Sequence, residues 1–162
     1  MKTMTSRSSA VQPDPTWKSI LECSVTEVFG MMASAQLEQI PPEQAEPHGA
    51  QTAMVGLAGA ACGMITIRCS DDTARHLTTL MLGGDAASDP SAVSDALGEL
   101  CNMVAGNFKG KISSLAEHCM LSVPTVIAGE DYVIQSVESR EVFNVALSHA
   151  GQPVFVSLIL HV

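Results

Sequence analysis

Between positions 95 and 110 the chain carries Asp95, Glu99, Asn102, Gly106, Lys109 and Gly110 at intervals of mostly three or four residues. On a helix turning about 100° per residue, that spacing draws them into one line. Two carboxylates and a lysine in such a line can meet opposite charges on a partner, and the Asn102 amide can both accept and donate a hydrogen bond. The same residue types also furnish an ordinary solvent-facing side of a helix. The glycines are the unusual part, because each costs about 1 kcal/mol against alanine inside a helix. Two causes stay open for them: another backbone lying close against this side, or a kink or tight packing within the domain.

The elements that must hold this line follow from periodicity and punctuation. Val93, Leu97, Cys101, Val104, Phe108, Ile112 and Leu115 fall on the opposite side and should be buried, in a helix opened by Asp89-Pro90 and predicted to run to about Leu115. An earlier helix begins at Asp14-Pro15 and buries Trp17, Ile20, Leu21, Val25, Val28, Phe29 and Met32, ending before Pro41-Pro42. A strand from about Thr52 to Ala58 turns through Gly59–Gly63 into a second strand, where Ile65, Ile67 and Cys69 alternate with Met64, Thr66 and Arg68. Ser70-Asp71-Asp72 caps a helix containing Leu77, Leu80 and Met81, which Gly83-Gly84 stops. Beyond the long helix, strands are predicted near Met120–Val123 and near Tyr132–Val137 with a turn around Gly129. A closing hairpin pairs Val142–Ser148 with Val154–His161 across Ala150-Gly151-Gln152. The order αββααβββ implies an α+β fold with long helices covering one face of an antiparallel sheet.

A shift that lays Leu21 on Val93 also lays Val25 on Leu97, Val28 on Leu100, Phe29 on Cys101 and Met32 on Val104. A helix followed by strands comes after each copy, the strand near Thr52 answering the one near Met120, so two pseudo-symmetric halves are expected.

The bulk properties exclude several function classes. With 162 residues, 46% of them hydrophobic and 15% charged, the chain can bury a core as one domain, expected over residues 14–162, behind a disordered Ser/Thr-rich lead over 1–13. A net charge of -9 repels nucleic-acid and anionic membrane surfaces. Five cysteines without a C-x-x-C pair suggest reduced, buried thiols in a cytosol, and no histidine spacing suits a metal. The start lacks the apolar stretch of an export signal, so a cytoplasmic location is expected.

The run from Asp95 through Glu99 and Asn102 to Gly106 resembles the D/S-x-x-x-E-x-x-N signature of the CheC, CheX and FliY chemotaxis phosphatases. The resemblance extends to Met64-Ile65-Thr66-Ile67 leading into a helix that ends Met81-Leu82-Gly83, and to Leu121-Ser122-Val123-Pro124-Thr125-Val126 before Gly129-Glu130. It implies a CheC-like fold and a phosphatase acting on the aspartyl phosphate of a CheY-like receiver, which itself supplies Mg²⁺. By position, Asn102 then orients the attacking water, Glu99 pairs with the receiver's active-site lysine, and Asp95 and Gly106 support docking. An amide suits the water because it adds no negative charge to an anionic centre. The first helix has Cys23, Glu27, Gly30 and Ser34 in the matching line, so glycine stands where an asparagine would be. That departure favours the CheX type with one active centre, and CheX resemblance implies a homodimer. Pro124 stands one residue earlier than the family's spacing, as a one-residue deletion would leave it. The alternative is a module of the same fold that binds a receiver or an assembly partner without hydrolysis; the strands of the closing hairpin could also extend a sheet by self-association.

Overall fold

In a computed structural model, residues 11–45, 50–130, 132–135 and 140–161 are described. Helix α1 (Trp17–Ala33) starts later than the prolines suggest. The Asp14 carboxylate and carbonyl accept the Thr16 and Trp17 N–H groups, so Pro15-Thr16 form a turn ahead of the helix. It ends at Ser34, whose positive φ lets Ala35 N–H close on the Phe29 carbonyl. A two-residue strand β1 (Glu38–Gln39) and one helical turn, α2 (Pro42–Ala45), follow.

Strands β2 (Ala50–Gly59) and β3 (Gly63–Cys69) form the expected hairpin. Gly59 has a positive φ, and a side chain there would collide with the His118 carbonyl, so only glycine suits the corner. Helix α3 (Asp71–Leu82) is capped by the Ser70 hydroxyl, which accepts from Thr73 N–H at 3.0 Å, with Asp71 and Asp72 at its positive end. Helix α4 (Pro90–Gly110) opens on Asp89, whose carboxylate accepts from Ser91 N–H at 2.9 Å.

Helix α4 stops at Gly110, short of the expected Leu115. Lys111 N–H reaches the carbonyls of Asn107 and Phe108 and Ile112 N–H that of Lys109, a tightened winding that closes the helix. A separate turn, α5 (Ser113–Ala116), carries Leu115 back into the core. Strand β4 (Cys119–Leu121) is followed by β5 (Thr125–Gly129), so the turn expected around Gly129 is the end of a strand. The strand expected near Tyr132–Val137 is not formed over 132–135, and 136–137 lie outside the described residues. The Tyr132 hydroxyl instead hydrogen-bonds the Thr52 hydroxyl. Strands β6 (Arg140–His149) and β7 (Gln152–His161) meet in a two-residue turn in which Ala150 and Gly151 both have positive φ.

The sheet order is β1-β6-β7-β3-β2-β4, with β5 also on β2, all pairs antiparallel. It mirrors about the β7–β3 pair. The repeat is therefore α1 with β2–β3 against α4 with β6–β7, and the strand near Thr52 is answered by β6 rather than by the one near Met120. One sheet face, with Ala53, Val55, Leu57, Ile65, Ile67, Cys69, Val154, Val156, Leu158 and Leu160 buried, packs under the three long helices in a single core. Of the cysteines, Cys69, Cys101 and Cys119 are buried, but Cys23 and Cys62 are exposed, because they sit on a helix surface and in a turn. Of the N-terminal lead, Val11 N–H donates to the Ala60 carbonyl; residues 1–10 lie outside the described residues.

The helix carrying the polar line is anchored by Phe108, fully buried and edge-on to Trp17 of α1 with ring centroids 5.8 Å apart. Phe108→Ala is expected to cost about 3–5 kcal/mol, the transfer of the ring plus the cavity left behind. Urea denaturation of the variant and the parent checks it.

Candidate functional site

Helix α4 separates its two sides as the periodicity requires. Val93, Leu97, Cys101, Val104 and Phe108 are buried, while Asp95, Glu99 and Gly106 are exposed and Asn102 is half-buried on the other side. The predicted line is thus brought together on one rigid element: Glu99 precedes Asn102 by one turn, and Gly106 follows it by another. Among the described residues, no hydrogen-bond or ion-pair partner engages the side chains of Asp95, Glu99 or Asn102. A carboxylate and an amide held on a helix and left free can engage a partner without first breaking an internal bond.

The two open explanations for Gly106 are now separable. Among the described residues, a methyl group added there would meet nothing within 4 Å outside its own helix backbone, so their packing does not require the glycine. Gly106→Ala is expected to stabilise the fold by about 0.5–1 kcal/mol, as alanine does in a helix interior. If a partner's backbone lies against this spot, the same variant binds that partner more weakly. Thermal melting and binding, measured on one preparation, check both halves.

Sequence reasoning missed two features of the site. The first surrounds Glu27, the α1 counterpart of Glu99. Lys111 Nζ lies 2.9 Å and 3.1 Å from its two carboxylate oxygens, Asn107 Nδ2 donates at 3.2 Å and Cys23 Sγ at 3.4 Å. The Lys111 contact first, then Cys23 and Asn107, hold the Glu27 carboxyl below its ordinary value, and Glu27 in turn raises the Cys23 thiol. The acid of the first half is consumed inside its own chain, whereas Glu99 has no partner among the described residues. Alongside it Gly30 offers no side chain, so this half holds no amide where Asn102 stands in the other.

A carboxyl whose folded value is depressed contributes stability that is fully present above its unfolded value and is lost as pH falls through the folded one. Parent and Glu27→Gln are therefore expected to differ in melting temperature at neutral pH. The difference shrinks only below the ordinary glutamate value of 4.5 and vanishes on further acidification. Melting curves across pH check it.

The second missed feature is Gly98, buried on the flank of α4 between Asp95 and Glu99. An added Cβ would come within 3.4 Å of Pro124 Cβ and 3.5 Å of Val126 Cγ2, so β5 packs close to the helix here. A third glycine inside the helix was the available signal. Among the described residues no three His, Cys, Asp or Glu side chains gather to hold a metal, and no helix is long and apolar enough to cross a membrane.

A family model described as chemotaxis phosphatase CheX matches residues 51–148. The chain belongs to the CheX family. The match takes in β2, β3, α3, the whole of α4 with its polar line, and nearly all of β6. A curated CheX-family relative, the CheY-P phosphatase CheX of Thermotoga maritima, is 36% identical over 92 residues, which cover 56% of this chain and 58% of that protein's own length. Two solved CheX structures share the fold. The chemotaxis protein CheX of Vibrio vulnificus has a TM-score of 0.79 at 20% identity, covering 93% of this chain and 100% of that one. CheX in the CheX–CheY–BeF3–Mg²⁺ complex of Borrelia burgdorferi has a TM-score of 0.74 at 21% identity, covering 90% and 98%.

Proposed function

We propose that this protein hydrolyses the aspartyl phosphate of a phosphorylated CheY-like receiver, with Asn102 orienting the attacking water and Glu99 docking on the receiver. The observation that carries the reading is the pair itself, a carboxylate and an amide one turn apart on an exposed side of α4, neither with a partner among the described residues, in a CheX-family chain. The Thermotoga maritima relative is a CheY-P phosphatase, and the Borrelia burgdorferi neighbour was solved bound to CheY with BeF3 and Mg²⁺.

The chemistry asks little of the phosphatase beyond position. Water attacks phosphorus in line with the departing aspartate oxygen. The P–O bond to the receiver breaks, the carboxylate is restored, and inorganic phosphate leaves with the water's oxygen. Asn102 accepts a hydrogen bond from the water through Oδ1 and donates from Nδ2 toward a phosphoryl oxygen, adding no charge. Mg²⁺ comes with the receiver and neutralises the phosphoryl oxygens there. Glu99 meets the receiver's active-site lysine, which fixes the approach of α4. Asp95 and Gly106 complete the docking face. One such centre acts per chain, because Glu27 is engaged by Lys111 and Gly30 has no amide to offer. The protein works in the cytoplasm, where receivers are found, as a homodimer.

The test is the decay of a radiolabelled phosphorylated receiver with the protein present well below the receiver's concentration. A phosphatase accelerates decay through many turnovers. A non-catalytic module of the same fold leaves the rate unchanged at any ratio.

A further inference from the structure

A groove of about 480 Å³ runs between α4 and the start of β5, lined by Ser94, Asp95, Gly98, Glu99, Pro124 and Val126. Its two sides differ in chemistry. The floor and far wall are apolar, made by the bare backbone of Gly98 and the rings and methyl groups of Pro124 and Val126, which stand against it. The near wall is anionic and hydroxylic. Asp95 and Glu99 are exposed, Ser94 is half-buried, and none of the three has an internal partner among the described residues.

An apolar trough beside free carboxylates, in a chain of net charge -9, suits one kind of guest. A long basic side chain can lay its methylene stem along such a wall and bring its charged head to the rim. A wholly apolar guest would leave the carboxylates to be desolvated without compensation, and an acidic one would be repelled. The groove is also continuous, through Glu99, with the line assigned to docking, so whatever enters it belongs to the molecule already seated on α4.

We propose that this groove is a specificity pocket for one lysine or arginine on the rim of the docked receiver, separate from the receiver's active-site lysine. Its stem lies on Gly98, Pro124 and Val126, and its head is bonded by Asp95 with help from Ser94. This rests on the phosphatase reading above and adds to it the residues that choose among receivers. Receivers share the phosphorylation pocket, so a choice must come from a contact outside it, and the groove lies one turn or more away from Asn102.

Two variants test the pocket. Asp95→Lys reverses the charge at an exposed position. Gly98→Ala adds one methyl at ordinary contact distance from Pro124 and Val126, and so raises the floor without forcing the fold. In the dephosphorylation assay, Asp95→Lys is expected to raise KM roughly tenfold, as loss of a charged docking contact does, with kcat held. Gly98→Ala raises KM less and melts no lower than the parent. Changing one rim lysine or arginine of the receiver to glutamate restores the KM of Asp95→Lys. Unchanged KM in both variants, a fall in kcat instead, or no restoring receiver substitution overturns the pocket. If the parent itself does not accelerate decay, the phosphatase reading fails separately. The affinities of the same variants for the receiver activated with beryllofluoride and Mg²⁺ then decide the pocket: weakened binding in Asp95→Lys supports it, and parental binding overturns it.

Discussion

Asn102→Ala is expected to lower kcat for receiver dephosphorylation on the order of 10²-fold or more, the scale seen when one oriented hydrogen-bonding group is removed from a reacting centre. KM should hold, because the residues proposed to dock the receiver, Glu99, Asp95 and Gly106, are untouched. The melting temperature should hold as well, since Asn102 is only half-buried and has no hydrogen bond among the described residues to lose. Asn102→Asp sharpens the result. Its shape is nearly the same, yet it brings a negative charge toward the phosphoryl oxygens and gives up the donor. It should be at least as inactive as alanine, although a carboxylate is the stronger base. An active Asn102→Asp would mean that proton abstraction, rather than orientation, is the task at this position.

Glu99→Lys should fail in the other parameter. Glu99 is exposed and engages no partner among the described residues, so its substitution should leave the fold as it was. Placed opposite the receiver's lysine, a lysine at position 99 replaces attraction with repulsion. A charged pair at a docking face is worth enough that the loss of affinity should be on the order of 10²-fold. Titration of the receiver activated with beryllofluoride, monitored by calorimetry, measures it directly. Raising the salt concentration should narrow the gap, because it screens the repulsion in the variant and the attraction in the parent.

How much of this was legible in the chain depended on whether the signal was local. The α4 line was legible because Asp89-Pro90 marks a start and Val93, Leu97, Cys101, Val104 and Phe108 mark one side. Once those are buried, helical geometry alone turns Asp95, Glu99 and Asn102 outward. The end of α4 was not legible for an equally physical reason. Ile112 and Leu115 are buried, so the apolar period carries on past Gly110 although the backbone does not. Periodicity reports which residues face the core and says nothing of a tightened turn between them. Strand β5 was missed because most of its residues are exposed and it shows no alternation for a strand to be recognised by.

The contacts that make the site asymmetric lie further still from what sequence spacing reports. Glu27 meets Lys111 across 84 positions, through the packing of α1 on α4, and no local pattern announces that meeting. Gly98 meets Pro124 and Val126 only once β5 has paired with β2. Apolar positions that the shift matches in the two helices, Val25 and Leu97 among them, are buried in both. The strands were misaligned because each half has its own insertions between helix and hairpin, which a fixed shift cannot follow.

The most direct measurement is the single-turnover rate of receiver dephosphorylation at saturating phosphatase, parent against Asn102→Ala. Saturation removes docking from the comparison and leaves only what happens at phosphorus. The account predicts a rate for the variant that falls close to the receiver's own spontaneous decay, while the parent runs far above it. Equal rates for the two proteins at saturation would contradict it, because the amide on α4 would then have no part in directing the water.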